Sequence, residues 1–238
     1  MNLSLAVSKD EMAGHADTLA ATGHVRIEPA LRPAAAEALH THLANEVEWW
    51  RIVNQGDRIW DLGPESIAAL TGDKERAFLD NAYAGARNGF QYIYDSVRVS
   101  ENPAERQARG LLVDRLVDSL NSPASLDLFR TLTGCEDIAL VDGQATRYLA
   151  GHFLTEHDDG VAVKKRVAAY VLNLTPHWRT AWGGLLQFHD ARGDVTRALA
   201  PGFNAINVFR VPCLHSVSLV APFAGAPRYS VTGWLRRG

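Results

Sequence analysis

The chain has 238 residues, of which 47% are hydrophobic and 21% charged, with a formal net charge of −3; this profile provides for a sizeable core and excludes a disordered or fibrous protein. A mildly acidic balance gives no basis for nucleic acid or an anionic membrane surface as the dominant partner, and the short basic stretches Lys164-Lys165-Arg166 and Arg236-Arg237 read as a solvated loop and a tail. Two cysteines, Cys135 and Cys213, make no disulfide framework; Met1–Ala21 lacks the apolar run of a signal peptide and no stretch of about 18 apolar residues occurs, so the expectation is a cytoplasmic protein that does not enter a membrane.

In chain order, His24–Glu28 alternates and predicts a strand, and Pro33–Leu39, rich in helix formers with proline in the first turn, predicts a helix. Val47–Val53 and Arg58–Leu62, joined by Asn54–Asp57, predict a hairpin that Gly63-Pro64 ends. Ala77, Leu79, Tyr83 and Ala84 allow a helix over Asp73–Arg87, and Phe90–Asp95 reads as a strand of alternating aromatics. Leu111, Leu112, Leu116 and Leu120 predict one helix over Pro103–Leu120, broken at Ser122-Pro123 before a shorter helix to Thr133.

The second half changes character. Gln144–Leu149, Phe153–His157, Val167–Leu174, Leu185–His189, Ala205–Phe209, His215–Val220 and Tyr229–Leu235 are strand-like runs separated by Gly, Pro and Asp turns, the pattern of a barrel or jelly roll. The expected architecture is mainly β with α: a double-stranded β-helix (jelly roll) core over 136–238, supported on one face by a helical and mixed amino-terminal part over 1–135. Residues 1–238 are read as one domain, because an isolated barrel would expose an apolar sheet face.

The chemistry-bearing stretch is His157-Asp158-Asp159. In an extended strand, side chains alternate, so His157 and Asp159 would aim at one point while Asp158 looks away. One imidazole and one carboxylate make two-thirds of the 2-His-1-carboxylate set that holds non-heme Fe(II) with open positions, and His215, on a distant strand, is the candidate third ligand. Arg228, thirteen positions after His215, is the candidate anchor for a cosubstrate carboxylate, with the Tyr148 and Ser230 hydroxyls able to donate to the same group.

These residues resemble the 2-oxoglutarate and Fe(II)-dependent dioxygenases, specifically their prolyl-4-hydroxylase-like branch. The resemblance rests on Tyr148 and Gly151 ahead of His157-Asp158-Asp159, on Tyr170–Leu174, on Trp182–Gln187, on His215-Ser216-Val217 and on Arg228–Trp234. It covers residues 136–238, and looks closest to the group that hydroxylates a proline of a ribosomal protein. The resemblance implies Fe(II) held by His157, Asp159 and His215, 2-oxoglutarate held by Arg228, Tyr148 and Ser230, and O₂ as oxidant. It implies hydroxylation of a prolyl residue of a protein or peptide with release of succinate and CO₂.

Two other readings stay open: the same chemistry on a free amino acid or small metabolite, and a cupin-like metal-binding or sensing protein without catalysis. The oligomeric state is not legible. His40, His42, His152, His177 and His189 have no carboxylate at strand spacing and read as structural. Glu156 and Asp158 are expected to face away from the metal, and Cys213 to be a small buried residue. Trp49, Trp50, Tyr92 and Tyr94 are candidates for either a substrate groove or the core.

Overall fold

The computed structural model describes residues 1–238, the side chain of Ala162 excepted. Seven α-helices and thirteen strands are defined among the described residues: α1 Lys9–Thr22, β1 His24–Ile27, α2 Pro33–Asn45, β2 Trp50–Gln55, β3 Arg58–Leu62, α3 Pro64–Ala68, α4 Asp73–Ala86, β4 Tyr92–Arg98, α5 Pro103–Arg109, α6 Leu112–Leu120 and α7 Pro123–Thr133, then β5 Ile138–Val141, β6 Gln144–Tyr148, β7 Phe153–His157, β8 Arg166–Asn173, β9 Leu186–His189, β10 Val195–Leu199, β11 Ala205–Arg210, β12 His215–Val217 and β13 Arg228–Arg237.

The strands form one curled antiparallel sheet in the order β1-β11-β8-β13-β6-β4-β7-β12-β9-β10, with the β2–β3 hairpin attached to β4 and β5 attached to β13. Strand β4 turns the corner: Asp95–Arg98 pair with β6, whereas Tyr92 and Ile93 pair with β7. One wall is therefore β11-β8-β13-β6 and the facing wall is β7-β12-β9-β10. This is the jelly-roll arrangement expected from the sequence, with helices flanking it.

Period-two alternation explains how one strand serves two environments. On β8, Ala168 and Leu172 join the large apolar core under the helices, while Ala169 and Val171 face the interior of the curl with Leu186, Phe188 and Phe209. On β13, Tyr229, Val231 and Leu235 are buried in the helical side, which leaves Arg228, Ser230, Thr232 and Trp234 for the opposite face. Helix α6 supplies Val113, Leu116, Val117 and Leu120 to that core, at the spacing of one helix face. Each such buried aliphatic side chain is worth roughly 1.5–3 kcal/mol. Helix α4 packs elsewhere, its Phe78, Leu79 and Tyr83 against Val53, Ile93 and Phe153.

Two expectations are corrected, and one helix was not expected. The helix expected over Pro103–Leu120 is two, because Gly110 adopts φ 68° and caps α5, a left-handed stop that glycine takes without strain. The aromatic strand expected to begin at Phe90 begins at Tyr92 and runs on to Arg98. Helix α1, which the apolar pattern does not announce, is held by a capping box between Ser8 and Glu11 and buries only Met12 and Leu19.

Candidate metal centre

Strand β7 ends at His157 and strand β12 begins at His215, and the two residues are directly paired across the ladder. Their rings are 4.1 Å apart, centroid to centroid. Asp159 joins them by a different route from strand alternation. The strand has already ended, and Asp159 sits at φ 61°, in the left-handed region that aspartate tolerates better than most residues. Asp158 closes this turn by accepting the Gly160 N–H at 2.8 Å and is exposed. His157, Asp159 and His215 thus offer three ligand atoms within 4.8 Å of one another. Among the described residues they form the one such cluster.

The histidines are oriented for ligation by Nε2. His157 Nδ1 lies 3.0 Å from the Thr155 carbonyl oxygen and His215 Nδ1 lies 2.7 Å from that of Cys213. A carbonyl only accepts, so each Nδ1 carries the proton and each Nε2 keeps its lone pair. Nε2 of His157 is 3.7 Å from Asp159 Oδ1, and Nε2 of His215 is 3.5 Å from Oδ2. Burial, reinforced by the neighbouring His157, pulls the His215 pKa down to about 4, so that imidazole is neutral near pH 7, as ligation requires. Two nitrogens and one carboxylate on three corners, with space beside them, fit a divalent iron of the facial-triad type.

That space is a cavity of about 510 Å³ enclosed by the curl. Clefts of similar size, about 520 and 500 Å³, lie elsewhere and hold none of the three residues. Deep in the cavity is Arg228, 2% exposed. Its guanidinium lies over the Tyr148 ring at 5.1 Å. Among the described residues it makes no ion pair, and its Nε is buried without a hydrogen-bond partner. Burial lowers the pKa of Arg228 and raises that of Tyr148, so the phenol keeps its proton. Burying a charge with no partner is expensive. The arrangement is relieved by an anion.

The glycines of the quoted sequence signatures have packing reasons. A Cβ on Gly184 (φ 61°) would stand 3.3 Å from Arg228 Cδ and 3.1 Å from a Val220 methyl. A Cβ on Gly233 would collide with the Asp142 carbonyl and stand 2.9 Å from the Tyr170 ring. Glycine thus lets the 182–184 loop close over Arg228 and lets β13 pass Asp142.

The structure distributes the remaining sequence candidates as follows. Tyr148 lines the cavity. Ser230 is fully buried beside it, its hydroxyl 2.8 Å from Thr146 Oγ1, and it is Thr146 that reaches the cavity wall. Tyr92 and Tyr94 line the cavity, whereas Trp49 is buried in the core and Trp50 lines a separate cleft. Glu156 pairs with His189 at 3.4 Å, away from the three clustered residues. Cys213 is half-buried. His40 packs edge-on to Tyr229, and His42 contacts Glu46 at 2.9 Å.

Two residues escape the sequence reading. Trp234 donates its indole N–H to Asp159 Oδ2 at 2.9 Å. Arg166 stacks on that indole at 3.6 Å and reaches the Asp159 main-chain oxygen at 3.1 Å. Neither contact has a local sequence signal.

Comparison with known proteins agrees with this fold. Residues 143–236 match the model of the 2OG-Fe(II) oxygenase superfamily. A prolyl-4-hydroxylase from Pseudomonas putida is similar in structure with a TM-score of 0.60 at 17% identity, over 95% of this chain and 99% of that one. A Trichoplax adhaerens prolyl hydroxylase, solved with a hypoxia inducible factor peptide, gives 0.51 at 14%, over 96% and 90%. The non-heme alpha ketoglutarate dependent epimerase SnoN gives 0.57 at 12%, over 96% and 84%. No curated protein matches the chain in sequence. The chain has the fold of the 2-oxoglutarate/Fe(II) dioxygenase superfamily, with a 2-His-1-carboxylate triad in its cavity.

Proposed function

We propose that the protein is a Fe(II)- and 2-oxoglutarate-dependent dioxygenase that hydroxylates a prolyl residue of a protein or peptide, releasing succinate and CO₂. The observation that carries the cosubstrate is Arg228, an unpaired buried cation in the same cavity as His157, Asp159 and His215. In this reading those three hold Fe(II), and Arg228 holds the distal carboxylate of 2-oxoglutarate in a charge-assisted, bidentate contact. Tyr148 donates its phenolic proton to the same carboxylate, and Thr146 and Ser230 complete a hydroxyl-lined wall. Fe(II) held there together with the keto acid would supply the activation of O₂, with 2-oxoglutarate as the co-reductant that becomes succinate and CO₂.

The chain's own share is orientation and exclusion of water. Apart from the triad and Arg228, the one charged side chain on the cavity wall is Arg166, and it is engaged with Asp159. A free amino acid would bring an ammonium and a carboxylate with no counter-charge waiting, whereas a residue inside a polypeptide brings neither. The apolar and aromatic part of the cavity lining includes Ile59, Phe90, Tyr92, Tyr94 and Val161. Ile59, Phe90 and Val161 remain 59%, 50% and 45% exposed, and apolar, aromatic edges of this kind suit a prolyl ring and an extended chain.

The test is anaerobic addition of Fe(II) and 2-oxoglutarate to metal-free protein, followed by O₂. A visible charge-transfer band, succinate formation, and a gain of one oxygen atom on proline-containing peptides are the expected results. Absence of both band and succinate from folded protein refutes the dioxygenase. Turnover of free proline in preference to peptides refutes the substrate class.

A further inference from the structure

We propose that Trp234 and Arg166 are a positioning pair that fixes the Asp159 carboxylate for ligation through a single oxygen, an inference that rests on the metal site proposed above. The problem they answer is local. His157 and His215 are held by the sheet, one on each of two paired strands. Asp159 lies beyond the end of its strand, in a turn at φ 61°, so no ladder hydrogen bond sets the rotation of its side chain. A carboxylate free to rotate would present either oxygen or both, and a bidentate carboxylate would occupy a position that the cosubstrate and O₂ need.

Trp234 supplies the missing constraint. Its indole N–H meets Oδ2 at 2.9 Å and leaves Oδ1, 3.7 Å from His157 Nε2, as the less encumbered oxygen. Trp234 is itself anchored twice, once through its backbone and once through its ring. Its backbone N–H binds Asp142 Oδ1 at 2.7 Å, and the Arg166 guanidinium covers its face at 3.6 Å. Arg166 also grips the turn, donating to the Asp159 main-chain oxygen at 3.1 Å and approaching Oδ1 at 3.5 Å. Its planar cation suits stacking and forked donation together, which a lysine would not. Groups that orient metal ligands from behind are worth about 10–100-fold in metal affinity.

The test is titration of metal-free protein with Co(II), without cosubstrate, following the visible spectrum of the bound ion. Trp234→Phe keeps an aromatic ring under Arg166 and removes the N–H; its affinity is expected to fall about 10–100-fold with an altered spectrum. Arg166→Met is expected to weaken binding in the same direction, while Trp60→Phe, in a separate cleft, leaves it unchanged. Wild-type affinity and spectrum in Trp234→Phe overturn the proposal. If Trp234→Phe does not fold, Arg166→Met, which preserves the indole, decides the same comparison. Failure of the wild-type protein to bind Co(II) through His157, Asp159 and His215 would instead sink the metal site itself, and the positioning pair with it.

Discussion

Replacing Arg228 by methionine should have two effects of opposite sign. The guanidinium is 2% exposed and lies against Tyr148 with no ion pair among the described residues, so the ligand-free protein carries the desolvation cost of a charge uncompensated. Substituting buried ionic groups with apolar residues of similar volume is often stabilising by about 1–4 kcal/mol. For a chain of this size, 1 kcal/mol corresponds to about 2–4 °C in Tm, so a gain near 2 kcal/mol would raise the Tm of ligand-free Arg228→Met by about 4–8 °C. The same change removes the counter-charge of the cosubstrate and leaves its carboxylate buried and unpaired, at a cost of roughly 3–5 kcal/mol, or about two to three and a half orders of magnitude in affinity. Saturating 2-oxoglutarate stabilises a protein by about 2.7 kcal/mol at one hundred times Kd, so the wild type should show a cosubstrate-dependent thermal shift that the variant lacks. Thermal melts with Mn(II), with and without 2-oxoglutarate, read both effects in one experiment. A ligand-free variant less stable than the wild type, with the cosubstrate shift intact, would refute the reasoning about Arg228.

Asp159→Ala should leave a folded protein that forms no succinate, because the ligand set loses its only carboxylate; full cosubstrate turnover would overturn the assignment. His152 is 1% exposed and burial holds its pKa down to about 3, against about 6.5 in the unfolded chain. The unfolded state therefore binds the extra proton first, so stability is intact above about pH 6.5 and falls by roughly 3–5 kcal/mol as pH drops toward 3; urea titrations of wild type and His152→Phe should diverge in that window, and parallel pH profiles would contradict it. Gly233→Ala should destabilise by roughly 1–3 kcal/mol, because its Cβ meets the Asp142 carbonyl in a packed sheet; an unchanged chemical-denaturation midpoint would refute the packing argument. Phe90→Ala, at the exposed edge of the cavity, should raise the KM for a peptide about tenfold, consistent with losing roughly 1.5 kcal/mol of aromatic contact; an unaltered KM would remove Phe90 from the substrate path.

The jelly-roll scaffold and the gathering of His157, Asp159 and His215 at one point were both legible in the sequence. His157, Asp159, His215 and Arg228 stand out because two imidazoles and a carboxylate match the donor set of a facial triad, and an arginine follows at a distance that suits an anion anchor. What the one-dimensional pattern got wrong about Asp159 was its route: alternation assumed a continuing strand, while Asp158 and Gly160 form a turn that delivers the carboxylate by a positive φ. Trp234 and Arg166 were invisible as partners of Asp159 because contacts between distant strands leave no periodicity. In the scaffold, α1 was missed because alanine and polar residues fill most of its face, leaving Met12 and Leu19 as its buried positions; the Ser8-to-Glu11 capping box was the available signal. Strand β10 was missed because it is exposed along nearly all its length, so neither face is marked by hydrophobicity.

Strand β13 makes one chain segment a measuring rod. Arg228 and Trp234 share a face six positions apart, about 20 Å along an extended strand, with one end at the proposed cosubstrate anchor and the other at the metal-facing carboxylate. A strand has no slack: adding or removing a single residue between them would turn Trp234 to the helical side and bring Gly233 or Leu235 into its place. The turn at 190–194 between β9 and β10 has no such arithmetic to keep. Length variation in this fold is therefore expected to collect in turns like that one and to spare the stretch from Arg228 to Trp234, even where the individual side chains between them change.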